Sequence, residues 1–409
     1  MINKTPSFLL YGIGGVYNYG CEAIVRGTVN LLRTRWPEAN ITLVTPRYED
    51  DMQRLNDINI NIIRKMFEPR FAPKRIARKA AGLLSIHWDP FVEKIDYMDE
   101  VDVVLSIGGD MYTVSPLGAG YAKKLIQFGD IAINKNKKLV IWGASIGPFE
   151  DNTDAKKAYV KHLQNVDLIT AREPITVNYL NKLGLSQKTV SCSDPAFIVS
   201  GSTIRKPPNN KRLHIGVNYS PLSLLFATKN ENLKNFAEKQ SLILCKLIEK
   251  YNSEITLIPH VVCSFEPTDD DYTYLMSIRT MIPEKFKDRI HIIDNDPGYI
   301  GLKDVLESCD IVIAARMHCA INAISLGIPT IFVSYSAKSE GMAQYIYNHN
   351  VWVVSLNDTT SVNLVQKVQM MINEKEKVQN QLLQKIQILK KDATKSVNAL
   401  EKILEGPLN

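Results

Sequence analysis

Residues 309–341 read CDIVIAARMHCAINAISLGIPTIFVSYSAKSEG, and the fold is decided by how this stretch divides. The run at 309–314 is apolar without alternation, the mark of a strand buried on both faces. A helical stretch follows, and Gly327 and Pro329 stop it. The chain then enters a second apolar run at 329–335. Strand, helix and strand in that order form a βαβ unit, which pairs its strands in parallel. Arg316, Met317 and His318 stand where the first strand ends, and Lys338 follows the second. All of them therefore fall on the carboxyl edge of one sheet.

Working outward, the same alternation covers most of the chain. A second-half series begins with LHIGVNY (213–219) and continues through a helix at 232–250, EITLIPH (254–260), RIHIID (289–294) and VWVVSL (351–356). A first-half series runs through SFLLYGIG (7–14), a helix over 21–35, ITLVT (41–45), VDVVLSIGG (101–109), a helix near 119–134, KLVIWGASIG (138–147), DLITARE (167–173) and TVSCSDPAF (189–197). The intervening SGSTIRKPPNNKR (200–212), with its glycine, paired prolines and paired asparagines, reads as a linker. The expected architecture is two Rossmann-like, doubly wound parallel-sheet domains, 1–203 and 204–360. Residues 361–409 are expected to form C-terminal helices that cross back onto the first domain. Ligands of such sheets bind in the crevice at the strands' carboxyl ends.

A chain of 409 residues is long enough for two cores. Its net charge of +6 is modest, so no nucleic-acid partner is expected. The charge is concentrated: residues 64–79 hold Arg64, Lys65, Arg70, Lys74, Arg75, Arg78 and Lys79 against Glu68 alone. Phe67, Phe71 and Ile76 interleave with these cations. Residues 64–84 thus suit an anionic membrane surface or a polyanionic substrate, the plainer reading being a solvated loop and surface helix. Six cysteines show no metal-ligand spacing, so no metal site is expected. No signal peptide or spanning segment is legible, and the expected location is the cytoplasm, at most peripheral to the inner face of a membrane.

The polar signatures gather at strand ends. GIGG (12–15) is not GxGxxG, and no GKS or GKT follows, so dinucleotide and P-loop binding are unsupported. In GGD (108–110) the glycines allow close backbone approach, with Asp110 either capping a helix or facing the cleft. Arg172 and Arg316 present planar forks suited to carboxylate or phosphate. Arginine with histidine two residues on makes an anion-binding corner, in which His318 donates to phosphate or acts as general acid. His260, His87 and His349 lack such company and read as structural.

These blocks together, GVYNYGCEAI (15–24), GGD, ASIGP (144–148), ARE (171–173), DPAF (194–197) and RMHCAINAISLGIPTIFVSYSAKSEG (316–341), resemble polysaccharide pyruvyl transferases. The resemblance runs from about Tyr11 to Tyr345. It implies a glycosyltransferase-B-like pair of domains, phosphoenolpyruvate as donor, and a pyruvate ketal formed on a sugar of a cell-surface or capsular polysaccharide precursor, the acceptor expected to be lipid-linked. The first domain would take the acceptor and the second the donor, with no cofactor. Arg172, Arg316, Met317 and Lys338 would bind the donor, His318 would be the acid, Glu22 or Asp110 the base, and Asn18 and Tyr112 would meet the acceptor. The family often carries Asp before the Glu of its N-terminal motif, where this chain has Cys21. The rival readings are a sugar-nucleotide glycosyltransferase of the same fold and a non-catalytic, membrane-associated assembly factor.

Overall fold

The computed structural model describes residues 5–69, 71–83, 90–114, 122–201, 212–227, 232–334 and 337–406, with the side chains at 80–83, 337 and 338 outside that description. The first sheet contains β1 (Phe8–Tyr11), β2 (Ile41–Thr45), β3 (Asn61–Arg64), β4 (Val103–Ile107), β5 (Lys138–Ala144), β6 (Leu168–Ala171) and β7 (Thr189–Ser191), in the order β3-β2-β1-β4-β5-β6-β7. The second contains β8 (His214–Asn218), β9 (Glu254–Leu257), β10 (Ile290–Ile292), β11 (Ile311–Ala314), β12 (Thr330–Ser334) and β13 (Val353–Ser355), in the order β10-β9-β8-β11-β12-β13. Every strand pairing is parallel. β1, β4, β8, β11 and β12 are buried at every residue, which is why their sequences run apolar rather than alternate. The two doubly wound sheets expected from the sequence are present. β3 was not legible, because it is a half-exposed edge strand with a mixed sequence.

The order reverses between β1 and β4 in one sheet and between β8 and β11 in the other. Loops at these switch points diverge and leave crevices at the carboxyl edge. The expected linker falls mainly on 202–211, outside the described residues.

The C-terminal segment is one helix, Val362–Glu405. Leu364, Val368, Met371, Leu382 and Leu389 pack into the second-domain core, whereas Ala393, Val397 and Leu400 belong to a first-domain core. At about 1.5 Å per residue the helix is some 66 Å long, enough to reach across both units. The Ser193 hydroxyl donates to the Leu389 carbonyl near this crossing, and Tyr345 Oη donates to Asp392 Oδ2 at 2.8 Å.

Residues 17–22 join the domains at a second place. Tyr19 N donates to His260 O at 3.1 Å, Val262 N donates to Tyr17 O at 3.3 Å, and Asn18 bridges Val261. Tyr19 Oη also bonds Asp296.

Candidate active site

Asp194 lies in the turn after β7. Its Oδ1 accepts from Ala196 N at 2.8 Å, an N-cap that fixes the carboxylate. The other oxygen, Oδ2, receives Arg172 Nη1 at 2.8 Å and stands 3.4 Å from His318 Nε2. Arg172 follows β6 of the first domain, and His318 opens the Met317–Ser325 helix of the second. One buried carboxylate oxygen thus faces basic side chains from both domains. Burial pushes Asp194 up, but His318, then Arg172 and the Ala196 N–H outweigh it and hold the carboxyl well below its usual range.

Arg172 is 1% exposed and uses each arm of its fork. Nε donates to Ser145 Oγ at 2.8 Å, and Nη2 reaches Asp110 Oδ1 at 3.1 Å. Ser145 Oγ in turn donates a hydrogen bond to Glu173 Oε2 at 3.0 Å. Glu173 also accepts from Thr176 Oγ1, and burial pushes its carboxyl up to about 7 despite Arg172 nearby. Of this group, only Asp110 is substantially open to solvent.

Two glycines make the packing possible. A Cβ on Gly20 would stand 2.6 Å from His318 Nδ1, and one on Gly109 would stand 2.6 Å from Arg172 Nη1. The glycines in GVYNYGCEAI and GGD therefore admit a side chain from elsewhere; Gly20 admits one from the opposite domain.

Arg316 is held apart from this junction. Its Nη2 bonds Asp269 Oδ1 at 2.7 Å and Asp271 Oδ1 at 2.8 Å, and its Nε reaches Asp271 at 3.1 Å. Asp271 is buried and also accepts from His260 N, Val261 N and Asn218 Nδ2. Asn218 Oδ1 accepts from Arg316 N at 2.8 Å, closing the cluster. Among the described residues, Nη1 is the Arg316 guanidinium nitrogen given no partner. His260 is fully buried, and neither ring nitrogen has a partner among the described residues. Burial, then the charges of His318 and Arg316, keep it neutral.

With this geometry in hand, comparison with known families matches residues 18–337 to the polysaccharide pyruvyl transferases. The chain belongs to that family. It is similar to the amylovoran biosynthesis protein AmsJ of Erwinia amylovora, 20% identical over 83% of this chain and 85% of that one. Among solved structures, the UDP-GlcNAc 2-epimerase of Neisseria meningitidis bound to UDP-GlcNAc is similar in fold, with a TM-score of 0.60 at 13% identity over 98% of this chain and 100% of that one. HepE of Anabaena in complex with UDP and glucose gives 0.58 at 12% identity, over 98% and 99%. The fold is accordingly glycosyltransferase-B-like.

The remaining sequence candidates separate. Glu22 is sealed between domains: Oε1 accepts from Arg26 Nε and Oε2 from Tyr299 N, each at 2.8 Å, with 2% of its side chain exposed. Asn18 caps the Tyr19–Arg35 helix through Gly20 N. Tyr112 is in the first-domain core at 1% exposure, bonded to Ser106 Oγ, so an acceptor cannot reach it without opening that core. Met317 packs, half-buried, against the second-domain core. Lys338 belongs to the Ala337–Tyr347 helix, but its side chain lies outside the described residues. Asp194, Ser145 and Glu173 carried no assigned role in the sequence, although DPAF, ASIGP and ARE contain them. Among the described residues, no group of three His, Cys, Asp or Glu is placed to hold a metal.

A cavity of about 420 Å³ opens at the β1/β4 switch, lined by Tyr11, Ile13, Val44, Lys65, Met111 and residues 122–125. The Tyr11 ring stacks on Phe128 beneath it, and Lys65 Nζ at its rim pairs with Glu93 at 2.7 Å. Met111 follows Asp110 directly, so a single loop serves both the cavity and the Arg172 junction.

Proposed function

We propose that the protein transfers pyruvate from phosphoenolpyruvate to two hydroxyls of a sugar in a polysaccharide precursor, forming a ketal and releasing phosphate. The observation that carries this reading, within the family, is the junction of Arg172, Asp194 and His318 between the domains. A protonatable ring and a fixed guanidinium between the domains support a reading in which a donor held by one domain meets an acceptor held by the other.

The chemistry requires a proton at the donor's methylene carbon, which converts it to methyl and leaves the adjacent carbon oxocarbenium-like. One sugar hydroxyl bonds that carbon, the carbon–oxygen bond to phosphate breaks, and a second hydroxyl closes the ring. Of the two hydroxyl protons, one replaces the proton given to the methyl group and the other leaves with phosphate. His318 is the acid, with Asp194 stabilising its protonated form. Arg172 is fully engaged in the free protein, so a donor carboxylate or phosphate competes with Asp110, the exposed partner. Displaced from Arg172, Asp110 becomes the base toward the acceptor. Arg316 Nη1 and Lys338 supply further positive charge, and the cavity beside Met111 takes the sugar. Sealed in its ion pairs, Glu22 is a latch between domains in this scheme.

Mass analysis of a synthetic sugar panel incubated with phosphoenolpyruvate tests the proposal. A product carrying one pyruvate per acceptor, with equimolar phosphate release, is expected. Sugar gained from a nucleotide sugar instead, with nothing gained from phosphoenolpyruvate, would replace this reading with glycosyl transfer.

A further inference from the structure

The first domain carries a face that its core does not explain. Met66, Phe67, Phe71 and Ile76 are exposed, Phe71 at 85% and Phe67 at 54%, where a domain of this size would ordinarily bury such residues. Their presentation is fixed. Residues 66–68 pair with 92–94 through Glu68 N to Val92 O at 2.8 Å and Lys94 N to Met66 O at 2.9 Å. Arg75 Nη1 then ties the Pro73–Leu83 helix back to Glu68 O at 2.6 Å. On that helix, successive residues turn by about 100°, which sets Lys74 and Arg78 on one side and Ile76 and Ala77 on another. Apolar and basic groups thus share one edge, within the segment where the sequence concentrates its formal charge excess.

We propose that this edge docks on an anionic bilayer. Lysine and arginine meet the lipid phosphates while the aromatic and aliphatic side chains enter the headgroup boundary. Arg64 and Lys65 are answered by Glu49 and Glu93, so the cations offered to a partner are those of the Pro73–Leu83 helix. Their combination with exposed aliphatic Met66 and Ile76 suits a headgroup boundary better than a nucleic acid, which would stack on aromatics alone. Lys65 lines the cavity at the β1/β4 switch and is followed immediately in the chain by Met66 and Phe67, so the exposed segment begins at that cavity's wall. Docking in this orientation sets the cavity mouth beside the membrane, where a saccharide on a lipid carrier would enter it. That last step rests on the acceptor reading above; the docking itself does not.

Co-sedimentation of the full chain with vesicles of phosphatidylglycerol and phosphatidylcholine, against phosphatidylcholine alone, tests the docking without donor or acceptor. Binding to the anionic vesicles is expected, weakened by salt. The triple variant Lys74→Glu, Arg78→Glu, Lys79→Glu should lose at least about tenfold in partitioning. Phe71→Ser should weaken binding with the charge unchanged, and both variants should keep the parental melting temperature. As a readout independent of those folds, Phe71→Trp should shift its emission to the blue and be quenched by brominated lipid. Absence of binding to anionic vesicles, binding equal in both variants, an unquenched Trp, or retention by polynucleotide in place of vesicles would overturn the proposal. None of these outcomes bears on the donor assignment, since no donor is present.

Discussion

His318 Nε2 and Arg172 Nη1, from opposite domains, converge on Asp194 Oδ2 at 3.4 and 2.8 Å. Replacing Asp194 with Asn keeps the shape and the Ala196 cap but removes the negative charge that both side chains face. Activity is expected to fall by roughly 10²–10⁴-fold, the range associated with losing a positioned acid or base. Arg172 would then keep the exposed Asp110 but lose its buried carboxylate partner, which should cost about 3 kcal/mol in stability. Steady-state phosphate release and denaturant unfolding measure the two losses separately.

Gly20→Ala tests position without touching charge. The new methyl would lie 2.6 Å from His318 Nδ1, so the ring must move. A misplacement of about 1 Å in a reacting group costs roughly 10²-fold in rate. Since alanine also favours the helix, stability should change by less than about 2 kcal/mol. Full activity in Gly20→Ala would remove His318 from the chemistry.

Glu173 gives a pH signature. Its carboxyl is raised to about 7 by burial, so the folded protein prefers it protonated. The resulting stabilisation is present below the ordinary glutamate range and is lost as pH rises toward 7. From the size of the shift, the change is about 3 kcal/mol, or roughly 3–5 °C in melting temperature. Melting curves between pH 5 and pH 7.5 should show that decline in the parent and not in Glu173→Gln. Asp194 works in the opposite direction: its carboxyl is held low, and its contribution disappears only as pH falls below the usual carboxylate range.

Arg316→Lys separates the clamp from the donor site. Lysine cannot span Asp269 and Asp271 as the guanidinium does, so stability should drop by about 2 kcal/mol. If Arg316 Nη1 also holds the donor, KM for phosphoenolpyruvate should rise about tenfold. A lower melting temperature with unchanged KM would assign Arg316 to the clamp alone.

The two sheets were legible because continuous apolar strands and punctuated helices are local features. Arg172 and His318 were legible as polar residues at strand ends, where burial has no need of them. What could not be read was who would share them. Asp194 acquires its meaning only when β7 brings the DPAF turn against a helix more than 100 residues away, and Asp269 and Asp271 claim Arg316 through the same kind of long-range closure. The family resemblance put Tyr112 forward as an acceptor contact, yet its ring lies in the first-domain core. Edge strand β3 escaped notice because an exposed edge imposes no apolar pattern.

The Ser193 bond to Leu389 sits one residue from Asp194, at the crossing of the long C-terminal helix. Were the domains to swing about that crossing, it would act as a fulcrum. A rotation of about 10° carries an atom ~20 Å away through ~3.5 Å but one ~5 Å away through less than ~1 Å. The outer lips of the cleft would then part widely enough to admit a bulky sugar, while Asp194, close to the pivot, would scarcely change its distance from His318. Access and alignment, which usually compete in a hinged enzyme, would in such a swing be governed by different lever arms.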